Sequence, residues 1–140
     1  MRIFILEDDP NRIVEFHKWF DHHSIEVTYI HTCERVEEFQ PPYDYLFLDH
    51  DLGGSQLGYK HGRPLSLQEA EDCGLTFVKL IGEKLQRHQP EGVIIHSYNP
   101  DGARNMALEL RGWVKKHVAT LPFGKVSFMN VIKGIQETCG

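Results

Sequence analysis

The sequence is poor in cysteine, and the spacing of the few cysteines argues against their usual structural roles. Only Cys33, Cys73 and Cys139 occur among 140 residues, an odd number without a C-x-x-C pair. Disulfide frameworks and thiolate zinc sites both depend on such pairing or spacing. We therefore interpret all three as reduced residues that pack against their neighbours.

The sequence also lacks a long apolar segment and a surplus of basic residues. No apolar run approaches the ~20 residues that span a bilayer, and the N-terminus reaches Glu7, Asp8 and Asp9 too early for a signal peptide. We therefore expect a cytoplasmic protein with no membrane partner. The net charge of −5 argues against general DNA binding, although a local site could hold a nucleotide or an RNA end.

Internal repeats and linker segments are missing as well. With 41% apolar and 25% charged residues, the composition is that of an ordinary folded protein. A length of 140 residues is close to the usual size of one domain. We predict a single domain over residues 1–140, and nothing in the sequence predicts its oligomeric state.

Short apolar runs alternate with segments of helical periodicity. The predicted strands are residues 2–6, 25–30, 45–48, 93–95 and 125–129. The predicted helices open at Pro10, at Thr32, at Cys73 and at Asn99, and a terminal helix covers residues 131–138. This alternation indicates parallel βαβ units with right-handed crossovers, which is an α/β fold.

Polar residues follow three of the predicted strands. They are Asp8 and Asp9 after the first strand, Asp49, His50 and Asp51 after the third, and the segment His96, Ser97, Tyr98, Asn99 after the fourth. The carboxyl ends of parallel strands lie at one edge of a sheet, where open α/β folds bind their ligands. We therefore predict a functional site at this edge. Residues 53–72 leave the sheet beside it as a long irregular segment, and we interpret them as a lid that brings Gly53 and His61 to an anionic substrate.

Aspartates in this arrangement are suited to a divalent cation. Asp8, Asp9 and Asp49 together could hold Mg²⁺ or Mn²⁺, because such hard cations take oxygen ligands. The alternative for Asp9 is a role at the start of the following helix, where an acid is favoured by the helix dipole.

His50 and His96 are candidates for general acid–base catalysis, since a neutral imidazole titrates near pH 7. If they are metal ligands instead, they favour Mn²⁺, Fe²⁺ or Zn²⁺ over Mg²⁺. Because adjacent strand residues face opposite sides, Asp49 and His50 should diverge if the strand continues. His96 and Ser97 present the same alternative, in which one of the two packs away from the site.

The segment that begins with Asn99 predicts a phosphate-binding helix start. Asn99 is the expected cap, Gly102 allows an anion to approach, and Arg104 adds a guanidinium in the first turn. Ser97 could donate its hydroxyl to a phosphoryl oxygen. The alternative is that Asn99 and Ser97 only cap the turn.

These residues resemble those of receiver domains, the flavodoxin-like domains of two-component response regulators. Asp8, Asp9 and Asp49 match that family's metal and phosphoacceptor positions, and Ser97 matches its hydroxyl position. The resemblance implies a three-layer fold with a five-stranded parallel sheet of order 2-1-3-4-5, and a backbone carbonyl ligand from Asp51. The family's lysine–proline pair after the last strand is missing, because Met129, Asn130 and Val131 follow residue 128 there.

The segments LDHDLGG and HSYNPDGARNM resemble a narrower group, the cyclic-phosphate-processing receiver-like domains. That resemblance implies a metal-dependent phosphoesterase acting on a cyclic nucleotide or an RNA 2′,3′-cyclic phosphate end. One alternative is a non-catalytic receiver-like module that is phosphorylated on Asp49. Another is a protein that sequesters a cyclic nucleotide.

Overall fold

A computed structural model of the protein describes residues 1–52, 59–60, 63–64, 73–124 and 127–139. The predictions for Gly53 and His61, and most of the segment that we interpret as a lid, lie outside the described residues. Within them, residues 59–60 pair with residues 63–64 as a short antiparallel ribbon. None of the helices in the described ranges has the length and apolar character needed to cross a membrane.

The centre of the fold is a five-stranded parallel sheet. Its strands are β1 (Arg2–Leu6), β2 (Glu26–Ile30), β3 (Tyr45–Leu48), β4 (Gly92–Ile95) and β5 (His117–Thr120). Their order across the sheet is β2-β1-β3-β4-β5, and each neighbouring pair runs parallel. The predicted α/β class and the order 2-1-3-4-5 are therefore confirmed.

Helices cover both faces of the sheet. They are α1 (Pro10–Phe20), a 3₁₀ helix (Cys33–Glu38), α2 (Gly74–Arg87), α3 (Pro100–Arg111) and α4 (Phe128–Cys139). Helices α1 and α4 pack on one face, and α2, α3 and the 3₁₀ helix pack on the other. We call these the α1 face and the α3 face.

The central strands are buried on both faces, which is why they read as continuous apolar runs in the sequence. Ile5 and Phe47 pack on the α1 face with Phe16 and Phe128. Leu6 and Leu48 pack on the α3 face. Because successive strand residues alternate between faces, the pleat directs the residue that follows each of these strands back toward the α1 face.

The position predicted for the last strand was wrong. In the predicted segment 125–129, residue 127 precedes helix α4 and residues 128–129 belong to that helix. The fifth strand is instead β5, His117–Thr120. Strand β5 lies at the edge of the sheet and is largely exposed, so it needs few apolar residues and gives a weak sequence signal. Leu121 and Pro122 follow β5 directly. At the place of the receiver lysine–proline pair, the proline is therefore present and leucine stands where the lysine would be.

Candidate functional site

Three polar side chains are buried together at the carboxyl ends of β1, β3 and β4. Glu7, Asp49 and His96 are 0%, 3% and 0% exposed. Each offers one potential ligand atom, and these atoms all lie within 4.8 Å of one another. Each residue directly follows its strand, and the pleat of that strand directs its side chain to the α1 face. Two carboxylates and an imidazole in this arrangement could hold a divalent cation.

Glu7 is tied to the loop that follows β1. Its Oε2 accepts hydrogen bonds from the backbone N–H groups of Asp8 and Asp9, at 3.0 and 3.2 Å. Its Oε1 lies 3.0 Å from Nε2 of His96. Burial raises the pKa of Glu7, although those backbone donors and Arg12 oppose the shift. Our sequence prediction began the acidic site at Asp8 and missed Glu7; alternation along β1 would have placed Glu7 on the same face as Asp49.

Asp49 is a buried carboxylate with few compensating contacts. Its Oδ1 accepts a 2.9 Å hydrogen bond from the backbone N–H of His50, and its Oδ2 is 3.5 Å from Nη1 of Arg12. Burial raises its pKa to about 6, and the charge of Glu7 adds to that effect. Asp49 and Glu7 therefore resist being ionised together, and a bound cation would relieve the conflict.

His96 is enclosed by aromatic rings rather than by solvent. Its ring centroid lies 5.3 Å from that of Phe16 and 6.1 Å from that of Phe128. Burial lowers its pKa to about 4, so the imidazole is neutral at pH 7. Nδ1 has no hydrogen-bond partner among the residues that the structure describes, and Nε2 faces Glu7. This environment suits a metal ligand or a donor to Glu7 better than a group that exchanges protons with water.

Arg12 is the cation of this cluster, and it did not figure in the sequence predictions. Its Nη1 lies 3.4 Å from Oε1 of Glu7 and 3.5 Å from Oδ2 of Asp49. Its guanidinium carbon lies 5.1 Å from the centre of the Tyr98 ring and 5.5 Å from that of Phe123. A side chain from the first turn of α1 thus meets the ends of two strands and the segment after β5.

An open cavity of about 370 Å³ leads to these residues. It is lined by Asp8, Asp9, Pro10, Arg12, Asp49, Asp51 and Tyr98. Asp8, Asp49 and Asp51 therefore share one cavity, as the metal hypothesis requires. Asp9 has a further role, because its Oδ1 accepts hydrogen bonds from the backbone of Asn11 and Arg12 and caps α1. This is the alternative that the sequence left open for Asp9.

His50 lies on the α3 face, so it diverges from Asp49 as alternation requires. Its Nδ1 is 2.7 Å from Oδ1 of Asp51, which also accepts a 3.2 Å hydrogen bond from Nδ2 of Asn99. A hydrogen bond with Cys73 and the contact with Asp51 raise the pKa of His50 to about 9. The imidazole thus holds Asp51, which lines the cavity, and does not face His96.

Cys73 is the partner of His50 on this face. Burial alone would raise its thiol pKa, but hydrogen bonds with His50 and Thr76 outweigh it and lower the pKa to about 7. Neither Cys33 nor Cys73 forms a disulfide within the described residues, and Sγ of Cys33 donates to the backbone oxygen of Cys73 at 3.3 Å.

The helix start predicted to bind phosphate is closed by its own cap. Oδ1 of Asn99 accepts a 2.9 Å hydrogen bond from the N–H of Gly102, and Oγ of Ser97 accepts one from the N–H of Asn99. The His50 ring covers Gly102, since a Cβ there would lie only 2.4 Å from Cγ of His50. Arg104 is exposed and paired with a neighbouring acid on α3. Phosphate binding by Asn99, Gly102 and Arg104 stays a prediction.

Comparisons with known proteins agree with the fold and with the sequence motifs. A family described as "Cyclic-phosphate processing Receiver domain" matches residues 3–112. A search of the curated proteins found no match.

Several solved receiver structures are similar to the chain. A receiver domain from Methylobacillus flagellatus is 14% identical, with a TM-score of 0.59 and coverage of 96% of this chain and 98% of that one. A two-component response regulator from Clostridium difficile is 16% identical, with a TM-score of 0.59 over 98% and 96% of the two chains. The response regulator TrrA from Thermotoga maritima, solved in complex with Mg²⁺-BeF, is 17% identical, with a TM-score of 0.54 over 96% and 97%.

Proposed function

The chain belongs to the cyclic-phosphate processing receiver domains, and we propose that it is a metal-dependent phosphoesterase. Its substrate would be a cyclic phosphate, either in a cyclic nucleotide or at the 2′,3′-cyclic end of an RNA. The observation that carries the proposal is the buried cluster of Glu7, Asp49 and His96 at the edge of an open acidic cavity. A phosphorylation switch alone does not account for an imidazole buried beside two carboxylates.

The donor set fits a divalent cation. Two carboxylates whose pKa values are raised by burial gain from a positive charge between them, and His96 is neutral, as a nitrogen ligand must be. Asp8 lines the cavity beside Asp49 and would complete the set. The TrrA structure was solved in complex with Mg²⁺-BeF, and this likeness supports a divalent cation in the proposed function. The imidazole favours Mn²⁺ over Mg²⁺, and Zn²⁺ is the next candidate.

Each residue has a distinct part in the proposed reaction. The bound cation would supply Lewis-acid polarisation of a phosphoryl oxygen. Asp51 lines the cavity and would take the proton from the attacking water as general base. As the new P–O bond forms, one ester P–O bond of the ring would break, and the protonated Asp51 would return the proton to the leaving oxygen. His50 and Asn99 donate to the same oxygen of Asp51, and they would hold its carboxylate in position. In this scheme His50 acts through Asp51, and His96 acts as a ligand or as a donor to Glu7.

A receiver module phosphorylated on Asp49 is the second candidate function. Asp49 ends the central strand and lines the cavity, and the structural neighbours are signalling receivers. Against this candidate stands Leu121, which occupies the position of the receiver lysine. Sequestration of a cyclic nucleotide without turnover is a third outcome that the same experiment detects.

The test is hydrolysis by the purified full chain with Mn²⁺, Mg²⁺ or Zn²⁺. The panel contains cyclic mononucleotides, cyclic di- and oligonucleotides, and RNA with a 2′,3′-cyclic end. We expect turnover that Asp49→Asn abolishes and that Asp51→Asn lowers by about 10²- to 10⁴-fold. His50→Ala and His96→Ala should each reduce it, and Asp21→Asn, an exposed acid after α1, serves as the matched control.

Two results would contradict the proposal. Labelling of Asp49 by acetyl phosphate without turnover of any substrate would favour the receiver module. Tight binding of a cyclic nucleotide without product would favour sequestration.

A further inference from the structure

We propose that Arg12 is the residue that binds the phosphoryl group at this site, and that the rings of Tyr98 and Phe123 position its guanidinium. The inference rests on the proposed function, since it names a contact of the same site. It replaces Arg104, the guanidinium that the sequence suggested, with one on a different helix.

Arg12 is the basic side chain that reaches the cavity. Among the residues that the structure describes, it is the only lysine, arginine or histidine in the cavity lining. Its side chain is 24% exposed, so it is open to a ligand but mostly enclosed. Arg104, in contrast, is 68% exposed and pairs with Asp101. Leu121, and not a lysine, stands directly after β5 at the position of the receiver lysine.

The existing contacts of Arg12 leave most of its donors unused. Its polar contacts all run through Nη1, at 3.4 Å to Glu7 and 3.5 Å to Asp49. Within the described part of the chain, Nε and Nη2 donate no hydrogen bond. A guanidinium presents five N–H donors in a planar fork that matches two phosphoryl oxygens. One nitrogen can therefore stay with the carboxylates while the others meet an anion.

The start of α1 fixes where the Arg12 side chain leaves the backbone. The carboxylate of Asp9 accepts from the backbone N–H of Arg12 at 3.4 Å and caps the helix. Arg12 therefore projects from a capped first turn rather than from a free loop. This fixed origin lowers the entropy cost of presenting a long side chain to a ligand.

Two aromatic rings contact the guanidinium of Arg12. The guanidinium lies over both Tyr98 and Phe123, and the Tyr98 hydroxyl donates to the backbone oxygen of Phe123, which joins the two. A cation over the face of an aromatic ring is attracted by the ring quadrupole. An arginine that only neutralised Glu7 and Asp49 would not need two rings to orient its guanidinium. A residue that must bind a ligand in one orientation gains from such contacts.

The experiment measures two affinities by calorimetry on the full chain. The first is for Mn²⁺ alone, and the second is for inorganic phosphate at saturating Mn²⁺. For Arg12→Gln we expect phosphate affinity to fall by about 10- to 100-fold, the worth of a charged bidentate contact. Mn²⁺ affinity should hold or rise, because a competing cation has left the carboxylates.

Further variants separate positioning from charge. Arg12→Lys keeps the charge but not the fork, and it should lose phosphate affinity by a smaller factor. Tyr98→Leu should weaken phosphate binding several-fold and leave Mn²⁺ binding unchanged. Arg87→Gln, on the exposed end of α2, is the matched control and should change neither affinity.

Several outcomes would overturn the inference. For Arg12→Gln, these are an unchanged phosphate affinity or an equal loss of Mn²⁺ and phosphate affinity. The others are a loss of phosphate affinity in Arg104→Gln instead of Arg12→Gln, and no phosphate binding by the unaltered protein. If Arg12→Gln does not fold, full phosphate affinity in Arg12→Lys and Tyr98→Leu together overturns it. None of these readouts requires turnover, so a failure of the phosphoesterase proposal and a failure of the Arg12 assignment are seen separately.

Discussion

At the scale of single residues, the site holds more buried charge than its own contacts stabilise. Asp49 accepts one short backbone hydrogen bond and a 3.5 Å contact from Arg12, yet it is only 3% exposed. Desolvation of a carboxylate in such a place favours its protonated form. The buried charge of Asp49 therefore opposes folding, and the proposed cation site would account for its presence.

The first prediction follows for Asp49→Asn in metal-free protein. The folded pKa of about 6 lies above the ordinary value of 3.8. The penalty of ionising Asp49 is therefore absent below about pH 4, grows as the pH rises through 6, and is complete at neutral pH. Chemical denaturation at pH 7.5 should show the variant more stable by on the order of 2 kcal/mol, and the difference should vanish near pH 4.

Asp21→Asn is the control for this comparison, because Asp21 is exposed and its replacement should change the free energy of unfolding little. A variant of Asp49 that is less stable than the unaltered protein at pH 7.5 would show that the contacts of Asp49 outweigh its burial. A stability difference independent of pH would show that charge is not its origin.

At the scale of elements, the pleat of the sheet decides which residues meet. Glu7 and Asp49 follow strands whose odd-numbered residues, such as Ile5 and Phe47, pack on the α1 face. His50 follows the pattern of Leu48 and lies on the α3 face with Asn99 and Cys73. Alternation could be read from the sequence, and it explains why His50 and His96 lie on different faces of the sheet.

Other element boundaries could not be read in this way. The strands that contain Phe47 and Ile94 are recognisable as continuous apolar runs in the sequence, because both of their faces are buried. Strand β5 is largely exposed, and the apolar periodicity of α3 runs on past its last residue, Arg111, to Val114. An edge strand of four residues carries too little apolar pattern to compete with that periodicity.

The second prediction concerns the contact between α3 and β3. In Gly102→Ala, the new Cβ would lie 2.4 Å from Cγ and 2.6 Å from Nδ1 of His50, so the ring must move away from Asp51. We expect the free energy of unfolding to fall by about 1–3 kcal/mol, as for other overpacked sites. Gly134→Ala in α4 is the matched control, since a Cβ there would meet no atom of the described residues within 4 Å.

Urea denaturation of both variants checks this prediction. The control should gain roughly 0.5–1 kcal/mol, the ordinary helical advantage of alanine over glycine. Equal effects of the two substitutions would show that the His50 ring shifts without cost, and that Gly102 has no packing role.

At the scale of the whole molecule, the fold was predictable and the completion of the site was not. The alternation of strands and helices predicted the α/β class, and the resemblance to receiver domains implied the order of the sheet. The polar strand ends predicted the edge where Asp8, Asp49 and Asp51 line one cavity. The contact of Arg12 with Tyr98 and Phe123 joins segments far apart in the chain. Nothing in the local sequence of α1 distinguishes Arg12 from an exposed helical arginine, because its role depends on which distant rings it meets.

The third prediction is a linkage between the cation and the stability of the whole fold. A cation that binds the folded cluster of Glu7, Asp49 and His96 but not the unfolded chain raises stability by about 2.7 kcal/mol at a concentration of 100 Kd. Thermal unfolding should therefore shift upward with Mn²⁺, and more with Mn²⁺ than with Mg²⁺ at equal concentration, because the set includes an imidazole. Asp49→Asn should begin more stable and gain much less from Mn²⁺, whereas Asp21→Asn should respond as the unaltered protein does. Equal gains in both variants would place the cation elsewhere, since Asp49 is shared by the buried cluster and the open cavity.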